Sequence, residues 1–249
     1  MVCEAFSRGD SILHRLDPRV RVVVAVVFTC LLAVSKDFAV MAFGLALSVV
    51  GVAVARLPVG RVLRRLVGVN VFVAMLWALL PWSSEGTALF HLGRLAYTRE
   101  GVVLAAAITL KANAIVLALA VLLGTMEMTT LGHALSHLRV PDKLTQVFLL
   151  TVRYLDVLHH EHERLRQAMR VRCFRPGMNL HTYKSIGYLV GMLLVKSVAR
   201  AERVVAAMKC RGFRGRFYVL DHFSFGRRDA AFALGAAVVC VGMVLWEVL

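Results

Sequence analysis

Five apolar runs, separated by charged connections, constrain this chain more than any other feature: residues 20–34, 38–55, 66–80, 101–123 and 230–246. A helix needs about 20 apolar residues to cross the ~30 Å hydrocarbon core of a bilayer, and these runs approach that length. Hydrophobic side chains make up 59% of the 249 residues, well above the share in a soluble domain. The expectation is an all-α integral membrane protein with about five transmembrane helices. The first run is short and either extends at one end or tilts little. Ser35-Lys36-Asp37 makes a tight turn after it, Arg56-Leu-Pro58 ends the second, and Pro81-Trp82 ends the third with an interfacial aromatic. The first ten residues are polar and mixed in charge, unlike a cleavable signal peptide.

Lysine and arginine orient the chain. Arg8, Arg15, Arg19 and Arg21 precede or open the first run, and only Lys36 follows it. Arg56, Arg61, Arg64 and Arg65 lie between the second and third, whereas Arg94 and Arg99 in residues 81–100 are balanced by Glu85 and Glu100. Residues 129–228 hold eighteen Lys and Arg against six Asp and Glu. The bias alternates without conflict: N-terminus inside, residues 129–228 inside, C-terminus outside. A net charge of +15 would otherwise point to nucleic acid or anionic lipid. The positive-inside bias accounts for much of it, so no nucleic-acid partner is expected.

The organisation is then a membrane bundle of four spans over residues 1–128, a cytoplasmic domain over residues 129–228 and a last span within residues 229–249. In the cytoplasmic part, Leu131-Gly-His-Ala-Leu-Ser-His-Leu138 reads as a short amphipathic helix. Pro141 is placed to open a long one ending near Arg172, before Pro176-Gly177. Asn179 is a good N-cap for a second, to about Gly212, with the stripe Ile186, Val190, Leu193, Ser197, Ala201, Val204 and Met208. The first would be roughly 45–50 Å long at 1.5 Å per residue. About ten apolar residues between Lys184 and Lys196 are too few for a sixth span.

Enzymatic signatures are missing. There is no phosphate-binding Gly-x-x-x-x-Gly-Lys-[Ser/Thr] loop, no Gly-x-Ser-x-Gly elbow and no His-Glu-x-x-His. His159, His162 and Glu163 share a helix face and form a weak candidate metal site; a solvated polar face is the competing reading. His133 and His137 are weaker still. Lys111 and Asn113 interrupt the fourth run, either as functional groups or as helix–helix contacts. The five cysteines show no Cys-x-x-Cys spacing, and a disulfide framework is not expected.

One phrase occurs twice. Glu163-Arg-Leu-Arg-Gln-Ala-Met-Arg-Val-Arg-Cys-Phe-Arg175 returns 39 residues later as Glu202-Arg-Val-Val-Ala-Ala-Met-Lys-Cys-Arg-Gly-Phe-Arg214, with seven of thirteen positions identical. Basic residues suit a helix C-terminus in general. The recurrence of Ala, Met and Phe at the same offsets points further, to one small surface presented twice to a partner with two equivalent sockets. Its centres are Val171-Arg172-Cys173 and Cys210-Arg211-Gly212, flanked by Ala168, Met169 and Phe174 in one copy and Ala207, Met208 and Phe213 in the other.

These triplets resemble the paired Ala-Arg-Gly motifs of the transmembrane T component of energy-coupling factor transporters. Ser11-Ile-Leu-His-Arg-Leu-Asp-Pro-Arg19 resembles the N-terminal segment of the cobalt/nickel (CbiQ-like) type, and Leu138-Arg-Val-Pro141 with Arg153-Tyr154 fit its cytoplasmic helices. Neither triplet is a full Ala-Arg-Gly: Cys173 stands where glycine is usual, and Ile12 where proline is common. The resemblance implies an L-shaped multi-pass protein of the cell's inner (cytoplasmic) membrane. It would be a non-catalytic subunit that binds no cofactor, with ATP on two partner ABC-type ATPase subunits. The transported cobalt or nickel ion would sit on a membrane-embedded S component. The alternatives are a vitamin-type T component, a permease carrying an ion through its own bundle and resting on Lys111, Asn113 and the histidines, and a scaffold whose basic helices read anionic lipid.

Overall fold

Asp17 starts the first helix. Its carboxylate accepts the Arg19 amide at 2.9 Å, and Pro18 follows at the first helical position, where a missing N–H leaves no bond unmade. From there the chain, seen in a computed structural model that describes residues 16–83, 88–92, 95–138, 140–213 and 226–248, is built of helices. They are α1 (Pro18–Val34), α2 (Phe38–Val54), α3 (Val59–Ser83), α4 (Arg99–Leu122), α5 (Met128–His137), α6 (Asp142–Val171), α7 (Leu180–Cys210) and α8 (Arg227–Val248). The all-α class holds. One addition was not foreseen: an antiparallel pair, β1 (Ala88–Leu92) and β2 (Leu95–Thr98), with Leu92 opposite Leu95, lies between α3 and α4.

Among the described residues, three stretches are long and apolar enough to cross a bilayer: Val59–Trp82, Arg99–Leu122 and Arg227–Glu247. The first two expected spans form helices of 17 residues each, about 25 Å at 1.5 Å per residue, the short end of what spans. The third helix is longer than its apolar run. It begins at Val59 and carries Arg61, Arg64 and Arg65 in its first turns, because arginine is a good helix former even where hydropathy ends.

Two units divide the chain: Leu135–His222, and Val2–Ala134 with Phe223–Leu249. In the second, α4 is the central helix, packed against α1, α2 and α3, while α1 also packs against α8. Its contact face is small, with Ala105, Ala114, Ala118 and Ala120 buried, which lets neighbouring backbones approach closely. Leu117, Val121 and Leu122 of α4 join Ala25, Ala55, Leu57 and Val62 in one core cluster. Phe28, Leu32, Val40, Ala114, Ala118, Cys240 and Met243 form another. At Gly44 a β-carbon would meet Leu32 Cδ2, so a larger residue there would have to displace that buried leucine side chain.

Polar side chains fasten this bundle at chosen points. Asn70 of α3 and Asn113 of α4 exchange amide hydrogen bonds at 3.1 and 3.0 Å, and Asn113 also donates to the Thr109 carbonyl at 2.8 Å. Seven residues along α3, Trp77 Nε1 donates to Thr109 Oγ1 at 2.9 Å. Lys111 Nζ donates to the Ala33 carbonyl at the end of α1, 2.9 Å away. The two residues singled out in the fourth run are thus helix–helix contacts.

In the other unit, Pro141 is the N-cap of α6 and Asp142 its first residue, so the proline sits one position earlier than expected. Asn179 is the N-cap of α7 as expected, but its side chain makes no capping bond; Thr182 Oγ1 instead accepts the Gly177 amide at 3.1 Å. An ion pair at 2.5 Å joins Lys196 of α7 to Glu161 of α6. The α7 stripe faces α6 only in its C-terminal half. Leu193, Ser197, Ala201, Val204 and Met208 line a groove of about 530 Å³ with Tyr154, Leu155 and Leu158 of α6, whereas Ile186 and Val190 are exposed.

Candidate functional site: two matched helix ends

The repeated phrase forms the last turns of α6 and α7, and its two copies end by the same hydrogen bonds. At the end of α6, Cys173 N donates to Arg170 O at 2.9 Å and Phe174 N to Met169 O at 3.1 Å. At the end of α7, Gly212 N donates to Lys209 O at 3.0 Å and Phe213 N to Met208 O at 3.0 Å. These are the paired five-to-two and six-to-one bonds of a Schellman stop, which closes a helix with one residue in the left-handed region. That residue is Cys173 at φ +60° and Gly212 at φ +77°.

This stop explains part of the repetition. In a Schellman end the residue just past the left-handed position packs on the one three places inside the helix. Those are Phe174 with Met169, and Phe213 with Met208. All four are half-buried, and every other position of the two copies from Ala168 to Cys173 and from Ala207 to Gly212 is exposed. Phe174 also stacks obliquely on His181, ring centres 6.3 Å apart. Phe213 lines the α6–α7 groove beside Met208 and Val204. The phenylalanines therefore anchor both helix ends within the α6–α7 unit.

The stop does not require arginine at the C-cap. Arg172 has φ −83° and ψ 18°, and Arg211 φ −88° and ψ 11°, so their side chains leave equivalent backbones. Neither guanidinium has a partner among the described residues, and both are exposed. Each presents a planar fork of donors beside small or apolar neighbours, Val171 and Cys173 or Cys210 and Gly212. Such an end can enter a groove and engage a carboxylate and carbonyls together. Arg214, in the phrase's second copy, lies outside the described residues, as do Arg139 and residues 11–15 of the N-terminal segment.

The weak metal candidates come together only in part. Glu163 lies 3.4 Å from His159 Nε2 and 3.6 Å from His160 Nδ1, all three on the exposed side of α6. No group of three metal-ligating side chains occurs among the described residues.

Sequence reasoning missed a buried polar junction in the bundle. Arg21 was counted only as a topological charge, yet it is 2% exposed and donates to the Leu122 carbonyl at 2.8 Å and to Thr125 Oγ1. Asp229 was not singled out; it accepts the Asp17 amide at 2.7 Å and the Gly226 amide at 2.9 Å. A charged residue inside the first apolar run was the available signal.

Comparison with known proteins places the chain in a family. The family model described as "Cobalt transport protein" (CbiQ) matches residues 9–219. The energy-coupling factor transporter transmembrane protein EcfT of Acidaminococcus fermentans is 25% identical over 219 residues, covering 83% of this chain and 81% of that one. The EcfT of Bacillus subtilis is 26% identical over 229 residues, with 86% and 85% covered. That of Lactococcus lactis is 23% identical over 262 residues, with 99% and 98% covered. The chain therefore belongs to the CbiQ family, the multi-pass transmembrane T components of energy-coupling factor transporters.

Proposed function

We propose that this chain couples ATP hydrolysis to the import of cobalt or nickel ions, with Arg172 and Arg211 each docking one of two ABC-type ATPase subunits. A T component is itself non-catalytic; hydrolysis belongs to the partner subunits. The observation that carries the docking reading is the pair of matched ends. One backbone geometry occurs twice, each time with an exposed arginine that has no partner among the described residues and that the helix stop does not need. Two like ends suit two equivalent sockets on the partner subunits. Closure of the ATPases on ATP would move α6 and α7, and the movement would reorient a membrane-embedded S component that binds the ion.

Cobalt or nickel rests on the description of the family model and on the N-terminal segment up to Asp17-Pro18-Arg19. A vitamin-type T component is the second reading, since the EcfT relatives are named without a metal substrate and the family membership fits either cargo. The permease reading loses its footing, since Lys111 and Asn113 are occupied in helix contacts. The test is co-purification of the full chain with its ATPase subunits, together with uptake of cobalt and nickel. The reading expects two ATPase subunits retained by the wild type and none by the Arg172→Ala/Arg211→Ala double variant. Retention of both by the double variant would remove the docking role.

A further inference from the structure

The chain leaves the bundle unit after Ala134, and its described residues are back in that unit from Gly226. The bundle helices on either side of that excursion are α4, whose C-terminus leads out through α5, and α8, whose N-terminus receives the returning chain. Both of these ends are bonded to one turn of α1.

Arg21 holds the first end. Its Nη2 carries two hydrogens; one goes to the carbonyl of Leu122, the last residue of α4, and the other to the hydroxyl of Thr125, which lies past the end of that helix. The Thr125 hydroxyl in turn donates to the Val121 carbonyl at 2.7 Å. One side chain therefore pins the helix terminus and the outgoing chain beyond it. A cation at a helix C-terminus is favoured by the helix dipole. Asp229 holds the second end. It is 7% exposed, and its two carboxylate oxygens accept the amides of Asp17, the N-cap of α1, and Gly226, the residue just before α8. Again the contacts straddle a helix end.

A buried arginine among apolar helices is an expensive fastener. Apolar residues of similar volume commonly hold a structure as well or better, and charges in a membrane bundle are rare. What directional bonds add is orientation. We propose that the turn from Asp17 to Arg21 is a bracket that holds the end of α4 and the start of α8, the two bundle ends through which the chain continues to and from α6 and α7. Arg21, Thr125 and Asp229 are thus positioning residues for energy coupling, though none touches an ATPase. The inference rests on the chain being a T component, and it is separate from the role given to Arg172 and Arg211. Movement of α6 and α7 reaches the bundle along the chain only through these two crossings. If the two helix ends that they join were loose, hydrolysis would run without moving substrate.

The experiment uses the whole transporter, assembled with its ATPases and S component in proteoliposomes. The variants are Thr125→Val and Asp229→Asn, each of which weakens one crossing and leaves the Arg21 side chain in place. Ser48→Ala is the control; Ser48 is a buried hydroxyl of α2 bonded within its own helix, to the Gly44 carbonyl at 2.8 Å. Assembly, ATP hydrolysis and uptake are measured on the same preparation. We expect both crossing variants to assemble and hydrolyse ATP, while uptake per ATP falls about two- to thirtyfold, the range for mutations in a coupled network. The control should keep the wild-type ratio. An unchanged ratio in both crossing variants, or an equal fall in the control, would overturn the proposal. Failure of the family reading looks different, because the wild type itself would then not retain ATPases.

Discussion

Cys173 and Gly212 occupy the same left-handed backbone position, φ +60° and +77°, at the ends of α6 and α7. Only glycine adopts that region freely; a side chain there crowds the following carbonyl, by roughly 1–2 kcal/mol. The end of α6 is therefore the strained one. Cys173→Gly should stabilise it by about 1 kcal/mol and Gly212→Ala should destabilise the end of α7 by a similar amount. Amide hydrogen exchange at Phe174 and Phe213, the last bonded amides of the two stops, reads both effects separately. Faster exchange at Phe174 in Cys173→Gly would contradict the assignment.

The bundle offers a second test in Asn70 and Asn113. Their reciprocal bonds join α3 to α4 within the apolar layer, where measured side-chain hydrogen bonds are worth about 0.6–2 kcal/mol. A double-mutant cycle with Asn70→Ala and Asn113→Ala, followed by unfolding in mixed micelles, should give a coupling energy in that range. Strict additivity would mean that the pair contributes nothing jointly.

Acid should loosen the helix pair α6–α7. The Lys196 hydrogen bond holds the Glu161 carboxyl below its ordinary value of 4.5; desolvation opposes this, and the charges of Lys196, Arg164 and Arg200 reinforce it. A carboxyl with a depressed folded pKa stabilises the fold above its unfolded pKa, and that contribution disappears as pH falls through the folded value. The loss therefore begins near pH 4.5 and grows below it. Glu161→Gln should flatten the pH dependence of unfolding in this window and leave it unchanged at pH 6–8. An identical acid slope in the variant would remove the ion pair from the account.

The charge bias also places two native probes. Cys173 and Cys210 are free and exposed, and both belong to the segment expected inside the cell. In variants retaining only one of them, a membrane-impermeant maleimide should label neither from outside intact cells and both in inside-out vesicles. Labelling from outside would reverse the orientation drawn from Arg56, Arg61, Arg64 and Arg65.

What could be read from residues alone follows from how local each signal is. The ends of α2, α6 and α7 were legible because turn chemistry is local: Pro58 follows one stop, and Pro176 and Gly212 mark the others. The stripe on α7 was half right, since periodicity shows which face is apolar but not how far a neighbouring helix covers it; Ile186 and Val190 stay exposed. Lys111 and Asn113 could be flagged but not assigned, because their partners Ala33 and Asn70 lie on other helices. The bracket around Arg21 was invisible for the same reason, its partners being 101 and 104 residues away. The repeat was seen at once, yet its Met and Phe positions needed backbone angles before they could be separated from the arginines.

That separation sharpens the last prediction. Met169, Phe174, Met208 and Phe213 build the helix stops, so replacing them should disturb the ends themselves, whereas Arg172 and Arg211 can be changed without touching a bond within the described residues. Loss of one partner from a buried charged contact costs about 2–5 kcal/mol. Two contacts on one chain act together, so a single loss leaves the other holding at high effective concentration. Arg172→Ala and Arg211→Ala should therefore each keep the ATPases bound while uptake falls, and the double variant should lose them. Lysine should rescue poorly, since an ammonium lacks the planar fork that engages two acceptors in fixed geometry. Because the two C-caps share their backbone angles, the singles should weaken binding by amounts within about tenfold of each other, or about 1.4 kcal/mol. Titration of ATPase binding to each single variant measures this. One variant indistinguishable from wild type beside another that abolishes binding would show that only one of the matched ends is a docking site.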